Sequence, residues 1–207
     1  TAAATLSATG PDMLNRAAQY ESSINVIRIS ANTASTSIVS LIIFCTTQQQ
    51  IASSTLLATG NPTDLTNLTT FTNSSTAQIQ TAQTVLSTEI APILAQINAA
   101  STTIAAARAM VQKVQDELNA GDESAYTADI LSLQNMSPTP ADVANAQQAA
   151  IISGAQTASA TPSGSLNVSG AVLLDRLELI GTNATALQSA CTAPSLAVSS
   201  PVPPPPL

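Results

Sequence analysis

Residues Met13–Cys45 read MLNRAAQYESSINVIRISANTASTSIVSLIIFC, in which Met13, Ala17, Tyr20, Ile24, Ile27, Ala31, Ala34, Ile38, Leu41 and Cys45 recur at alternating steps of four and three. That spacing is one apolar stripe of an α-helix. A second stripe runs Leu166, Gly170, Leu173, Leu177, Ile180, Ala184, Leu187 and Cys191. A third runs Ile79, Ala82, Leu86, Ile90, Ile93, Ile97, Ala100, Ile104, Ala107, Val111, Val114 and Leu118, in phase across Pro92. The three stripes predict an all-α fold, an antiparallel bundle of about five to six helices, and leave little chain for a sheet. Two of them end on the only cysteines, so the two outer helices are expected to be joined by a Cys45–Cys191 disulfide; two buried thiols are the alternative reading.

Turn signals divide the stripes. Gly10-Pro11-Asp12, Asn61-Pro62-Thr63-Asp64 and Thr139-Pro140-Ala141-Asp142 each put Pro where a first helical residue needs no N–H, with an acid close behind to meet the positive helix end. These signals predict a first helix from about 11 to near 57 closed by Gly60, a long helix from Pro62 to Ala120, a short one from Asp122 to Gln134, a weaker one over 140–159, and the last helix to Cys191. Pro92 is expected to kink the long helix or divide it, and without a division the molecule is elongated. Residues 1–10 read as an N-terminal extension, 11–191 as a single helical-bundle domain, and 192–207, with its prolines, as an extended or disordered tail.

Composition narrows the functional classes. Hydrophobic content of 44% is ordinary, but only 2% of residues are aromatic and 8% charged, against roughly 25% charged in typical soluble domains. The core must therefore be Ile, Leu, Val and Ala, and the surface Ser, Thr, Asn and Gln. A net charge of −7 with five basic residues leaves nothing to neutralise phosphates, which argues against nucleic acid and anionic membranes as partners. Ile38–Cys45, the longest apolar run, is interrupted by Ser40 and too short to span a bilayer. Sequons at Asn67, Asn73, Asn167 and Asn183 are candidate glycan acceptors, and Asn135 a poorer one because Pro138 follows its serine. A start at Thr1 without Met, the paired cysteines and the sequons together read as a processed protein of an oxidising compartment, secreted or in a cell wall.

Catalytic chemistry has few candidates. The chain has no histidine, which removes the commonest general base and most zinc ligand sets. Asp116, Glu117, Asp122, Glu123 and Asp129 cluster at one helix junction but lack the spacing and glycine of a calcium loop, so they read as a helix-capping acidic corner. No phosphate loop or dinucleotide fingerprint occurs. The chain is read as non-enzymatic. What remains is apolar binding: Ala-rich helix faces meeting Ile and Leu can leave a cavity, and the scarce large side chains Tyr20, Phe44, Phe71, Met110 and Tyr126 are the candidates to line it. Arg28, Arg108, Lys113 and Arg176 are candidate partners for an acidic head group. Each of these residues has a plainer reading, as core filler or solvated surface.

Segments such as Ile97-Asn98-Ala99-Ala100-Ser101-Thr102-Thr103-Ile104 and Asn183-Ala184-Thr185-Ala186-Leu187 give residues 12–191 a composition and periodicity that resemble the fungal hydrophobic surface binding proteins and the related cell-wall mannoproteins. The resemblance implies a secreted helical bundle, and for the mannoprotein branch a fatty acid in a central cavity. Fungal pigment-carrying proteins are a more distant likeness. The expected function is a secreted carrier of a small hydrophobic molecule, a lipid or an organic chromophore, acting as a monomer or loose homodimer. The alternative is a structural or surface-active cell-wall protein that adsorbs to hydrophobic surfaces.

Overall fold

A computed structural model describes residues 2–150 and 171–194. Among the described residues there are helices and turns and no strand. The helices are α1 (Ala2–Leu56), α2 (Pro62–Val85), α3 (Ala91–Ala120), α4 (Glu123–Gln134), α5 (Pro140–Ala149) and α6 (Ala171–Leu187), with 3₁₀ turns at Leu57–Thr59 and Gln188–Cys191. The fold is the all-α bundle that the stripes predict. Nine of the ten stripe positions from Met13 to Cys45 are buried, Tyr20 being half-buried.

Most boundaries follow from local chemistry. Asn61 caps α2 by accepting from the Thr63 backbone N–H, with Pro62 in the first turn. Thr139 and Asp142 exchange hydrogen bonds as a capping box at the start of α5. Asp122 caps α4 through the Ala125 N–H. Gly60 and Gly121 close their helices at φ 62° and 76°, a left-handed conformation that costs glycine little.

The first helix departs from the expected start. α1 begins at Ala2 and runs through Pro11, so residues 2–10 are its first turns. Pro11 and Ser7 are both exposed, so the Ser7 carbonyl that loses its i+4 donor can bond water instead. Leu6, buried against Val114, Tyr126 and Ile130, supplies the packing that holds these turns. Gly10-Pro11-Asp12 is therefore not a helix opening.

Pro92 neither breaks the long helix nor interrupts its buried stripe. The turn before it, Leu86–Ile90, widens into a π-turn. Pro92 has no N–H for the Thr88 carbonyl, and a single π-turn is a common way to absorb that loss. The helical run Pro62–Ala120 continues through it.

The chain divides into two compact units, Thr1–Ser35 with Ser87–Ile180, and Thr36–Leu86 with Gly181–Leu207. In the first, α4 packs on α3, with clusters formed by Leu6, Val114, Tyr126 and Ile130 and by Met13, Ala107 and Leu133. In the second, α2 packs on the 3₁₀ turn Gln188–Cys191, and Ala52, Leu56 and Phe71 form a core joined by Leu68 and Ala193. The Cys45–Cys191 disulfide is formed and fully buried there. α5 ends at Ala149, and residues 151–159 of the helix expected over 140–159, like the Pro-rich tail from residue 195, lie outside the described residues.

Candidate functional site

The acidic corner is occupied with structural work. Lys113 bonds Asp129 and lies 3.4 Å from Glu117. The Lys113 hydrogen bond holds the Asp129 carboxyl below its ordinary range, and the lysine is raised in turn. Asp122 is spent on the α4 cap. No group of three or more acidic or cysteine side chains among the described residues is arranged to hold a metal ion.

The other cations are engaged as well. Arg176 forms a two-pronged pair with Glu89 at 2.7 and 2.8 Å, which raises its pKa above the ordinary arginine value. Arg108 meets Glu21 at 2.6 Å. Arg28 donates to Asn25 and Ser101. Buried Arg16 donates to the Pro138 carbonyl at 3.0 Å and its Nε lies 3.0 Å from Asp12, close enough for charge attraction but not aligned as a hydrogen bond.

The five large side chains nominated by the sequence divide between the two units. Tyr20, Met110 and Tyr126 belong to the first unit, Phe44 and Phe71 to the second. Tyr126 is buried, and Met110 packs against both clusters of that unit. Tyr20 is half-buried; burial, helped by the Asp142 charge, raises its hydroxyl pKa. Phe71 anchors the second core and Phe44 is half-buried. Among the described residues, pockets form against Tyr126 and against Phe71. One of about 220 Å³ lies at the α3–α4 junction, where Tyr126 meets Glu117, Leu118, Gly121, Asp122 and Glu123. The other is a wide groove of about 540 Å³ where Phe71 meets Asn67, Thr70, Ser74, Thr192 and Pro194. Asn73, Asn135 and Asn183 are exposed and Asn67 half-buried; Asn167 lies outside the described residues.

What reading from the inward stripes overlooks is the second unit's surface. Every ionisable side chain of the sequence except Asp64 belongs to the first unit, and Asp64 is only 2% exposed. The second unit therefore shows no charged side chain to solvent among its described residues. On its part of α1, Ile38, Leu41, Cys45, Ala52 and Leu56 turn inward. Val39, Ile43 and Ile51 are exposed, at four-residue steps with Thr47 between the last two. Placed on a wheel of 3.6 residues per turn, these three centre opposite the buried set. Ile43 is 61% exposed, and Leu57 in the following turn is exposed too. The signal was in the sequence, as a helix with apolar residues on opposing faces. The first unit shows a set of comparable exposure at Leu14, Val26 and Ile29, interspersed along α1 with the charged residues Arg16, Glu21 and Arg28.

By length and composition alone, Ala4–Thr59 and Pro62–Ala120 each hold an 18-residue window apolar enough to cross a bilayer, at mean hydropathy 1.5 and 1.3. The core helix of a soluble protein passes the same test, so length and composition alone do not place either helix in a membrane. Comparison with protein-family models, with curated proteins and with solved structures finds no match.

Proposed function

We propose that this is a secreted, non-enzymatic protein that adsorbs to hydrophobic surfaces through the second unit. The observation that carries the reading is the coincidence, in one unit, of an absent exposed charge and an outward apolar row on α1. Removing Val39, Ile43, Ile51 and Leu57 from water at their present exposure is worth on the order of 3–6 kcal/mol before ordering costs. No ion must be stripped of water on approach, so the opposing desolvation cost is small. The buried disulfide supports an oxidising compartment and keeps the unit closed while it binds.

The test is retention on alkylated beads together with surface pressure at an air–water interface. The wild type is expected to bind and raise surface pressure with its helicity intact. Ile43→Lys with Ile51→Lys is expected to lose retention, and Leu131→Lys, at an exposed apolar position of the first unit, to keep it. Equal retention of all three proteins refutes the reading. Uptake by zwitterionic vesicles in preference to beads would redirect it to a lipid surface.

A carrier of a small apolar molecule, the function that the sequence analysis puts first, is the second reading, favoured by the pocket against Tyr126 and the groove over Phe71. The pocket's volume of about 220 Å³ falls below the ~300–1,000 Å³ usual for drug-sized ligands, and the groove is open. An absorption spectrum and native mass of protein from its own source decide it: a bound pigment or lipid supports the carrier, and a bare, colourless protein opposes it.

A further inference from the structure

The second unit must stay in solution without exposed charge, and the sequence supplies one chemistry for that. We propose that Asn67, Asn73 and Asn183 carry N-linked glycans and that Asn135 does not. Three sequons of the chain, Asn67-Leu68-Thr69, Asn73-Ser74-Ser75 and Asn183-Ala184-Thr185, fall in the unit that exposes no charged side chain among its described residues. Asn73 stands on the outward side of α2, opposite the buried residues Asp64, Phe71, Ser75 and Ala82. Asn183 and Thr185 are exposed on either side of buried Ala184. Asn67 opens onto the groove of about 540 Å³, which leaves room for a first sugar beside Thr70 and Ser74. At all three positions a glycan meets solvent or open groove and displaces no core side chain.

Asn135 differs in both chemistry and place. It belongs to the charged unit, its amide donates to the Leu131 carbonyl at 3.0 Å, and Pro138 restricts the backbone of its acceptor Ser137. Within the second unit the sugars fall on α2 and α6, while Val39, Ile43 and Ile51 lie on α1 facing away from its packed side. That unit then has one hydrated side and one apolar side. The proposal holds whether or not the apolar side adsorbs to anything.

The experiment uses native protein from its own source. Glycans are released enzymatically in heavy-oxygen water, which leaves a labelled Asp at each occupied position, and peptides are mapped by mass. Labelled Asp at 67, 73 and 183 with plain Asn at 135 is expected. Unlabelled Asn at 73 and 183, or a native mass equal to that of the 20.9 kDa chain, overturns the proposal, and a labelled 135 overturns its selectivity. Expression in a eukaryotic secretory host gives a second readout. Thr185→Ala is expected to lose one glycan's mass and Thr185→Ser to keep it; the Thr185 hydroxyl otherwise only bonds back to the Gly181 carbonyl, so neither change threatens the fold. Identical masses for the wild type and Thr185→Ala overturn the assignment at Asn183.

Discussion

Replacing Cys45 and Cys191 together by alanine removes the single covalent tie of the second unit. The cysteines are 146 residues apart, and the loop-entropy relation gives about 5 kcal/mol for a loop of that length, with measured native disulfides usually worth about 2–5. Both sulfurs sit at 0% exposure, so alanine also leaves a small void. The tie holds the segment that packs on α2 and lets the Ala193 N–H reach Gln48 at 2.9 Å. Gln49 on α1 donates to Ser75 and Thr76 on α2 at 2.7 and 3.0 Å, the polar counterpart of the Phe71 core. Urea unfolding followed by far-ultraviolet circular dichroism is expected to show a midpoint lower by on the order of 1–3 M, given a slope of about 1–3 kcal/mol/M. Native-state hydrogen exchange should accelerate first in residues 36–56 and 62–86, with α4 and α5 slower to respond. An unchanged midpoint refutes the reasoning about the tie, and exchange that accelerates equally in α4 and α5 refutes its local character.

Three further perturbations follow from named contacts. Phe71→Ala empties the largest side chain of the second core and is expected to cost about 3–5 kcal/mol, read as loss of cooperative unfolding in that unit by hydrogen exchange. Arg16→Met keeps the buried stem but leaves the Pro138 carbonyl without its donor, an expected loss of about 1–3 kcal/mol in denaturant titration. For Asp142, burial pushes the carboxyl up, but the Thr139 backbone N–H and the hydroxyls of Ser137 and Thr139 outweigh it and hold the pKa below its ordinary value. A depressed carboxylate stabilises above the unfolded-state pKa and ceases to as pH falls through the folded one. Asp142→Asn is therefore expected to cost about 0.5–1 kcal/mol at neutral pH, with the difference vanishing in acid. The same change should lower the Tyr20 pKa in an absorbance titration, because the Asp142 charge is part of what raises it.

The helices were legible because their apolar period is long and regular. Capping chemistry at Asn61, Thr139 and Asp122 and the left-handed glycines at 60 and 121 then set the ends to within a few residues. Pro11 misled because a proline signal is local, whereas burial of Leu6 against α3 and α4 is tertiary. The π-turn before Pro92 was legible as a disturbance but not as a kind, since period alone does not choose between a break, a kink and a widened turn. The nominated aromatic and methionine side chains were chosen for scarcity, and scarcity says nothing of which unit a residue joins. The unit without exposed charge was hidden for the same reason: residues 36–86 and 181–194 are far apart in sequence and become one body only when Cys45 meets Cys191 and α2 meets the turn beside it.

Radical footprinting of the protein adsorbed on an alkylated surface, compared with the protein in solution, reads the proposed contact residue by residue. The account predicts that Val39, Ile43 and Ile51, open to solvent in the free protein, become protected, while Leu131 on α4 is labelled as before. Undiminished labelling at Ile43 and Ile51 in the adsorbed protein, or equal protection at Leu131, would contradict it.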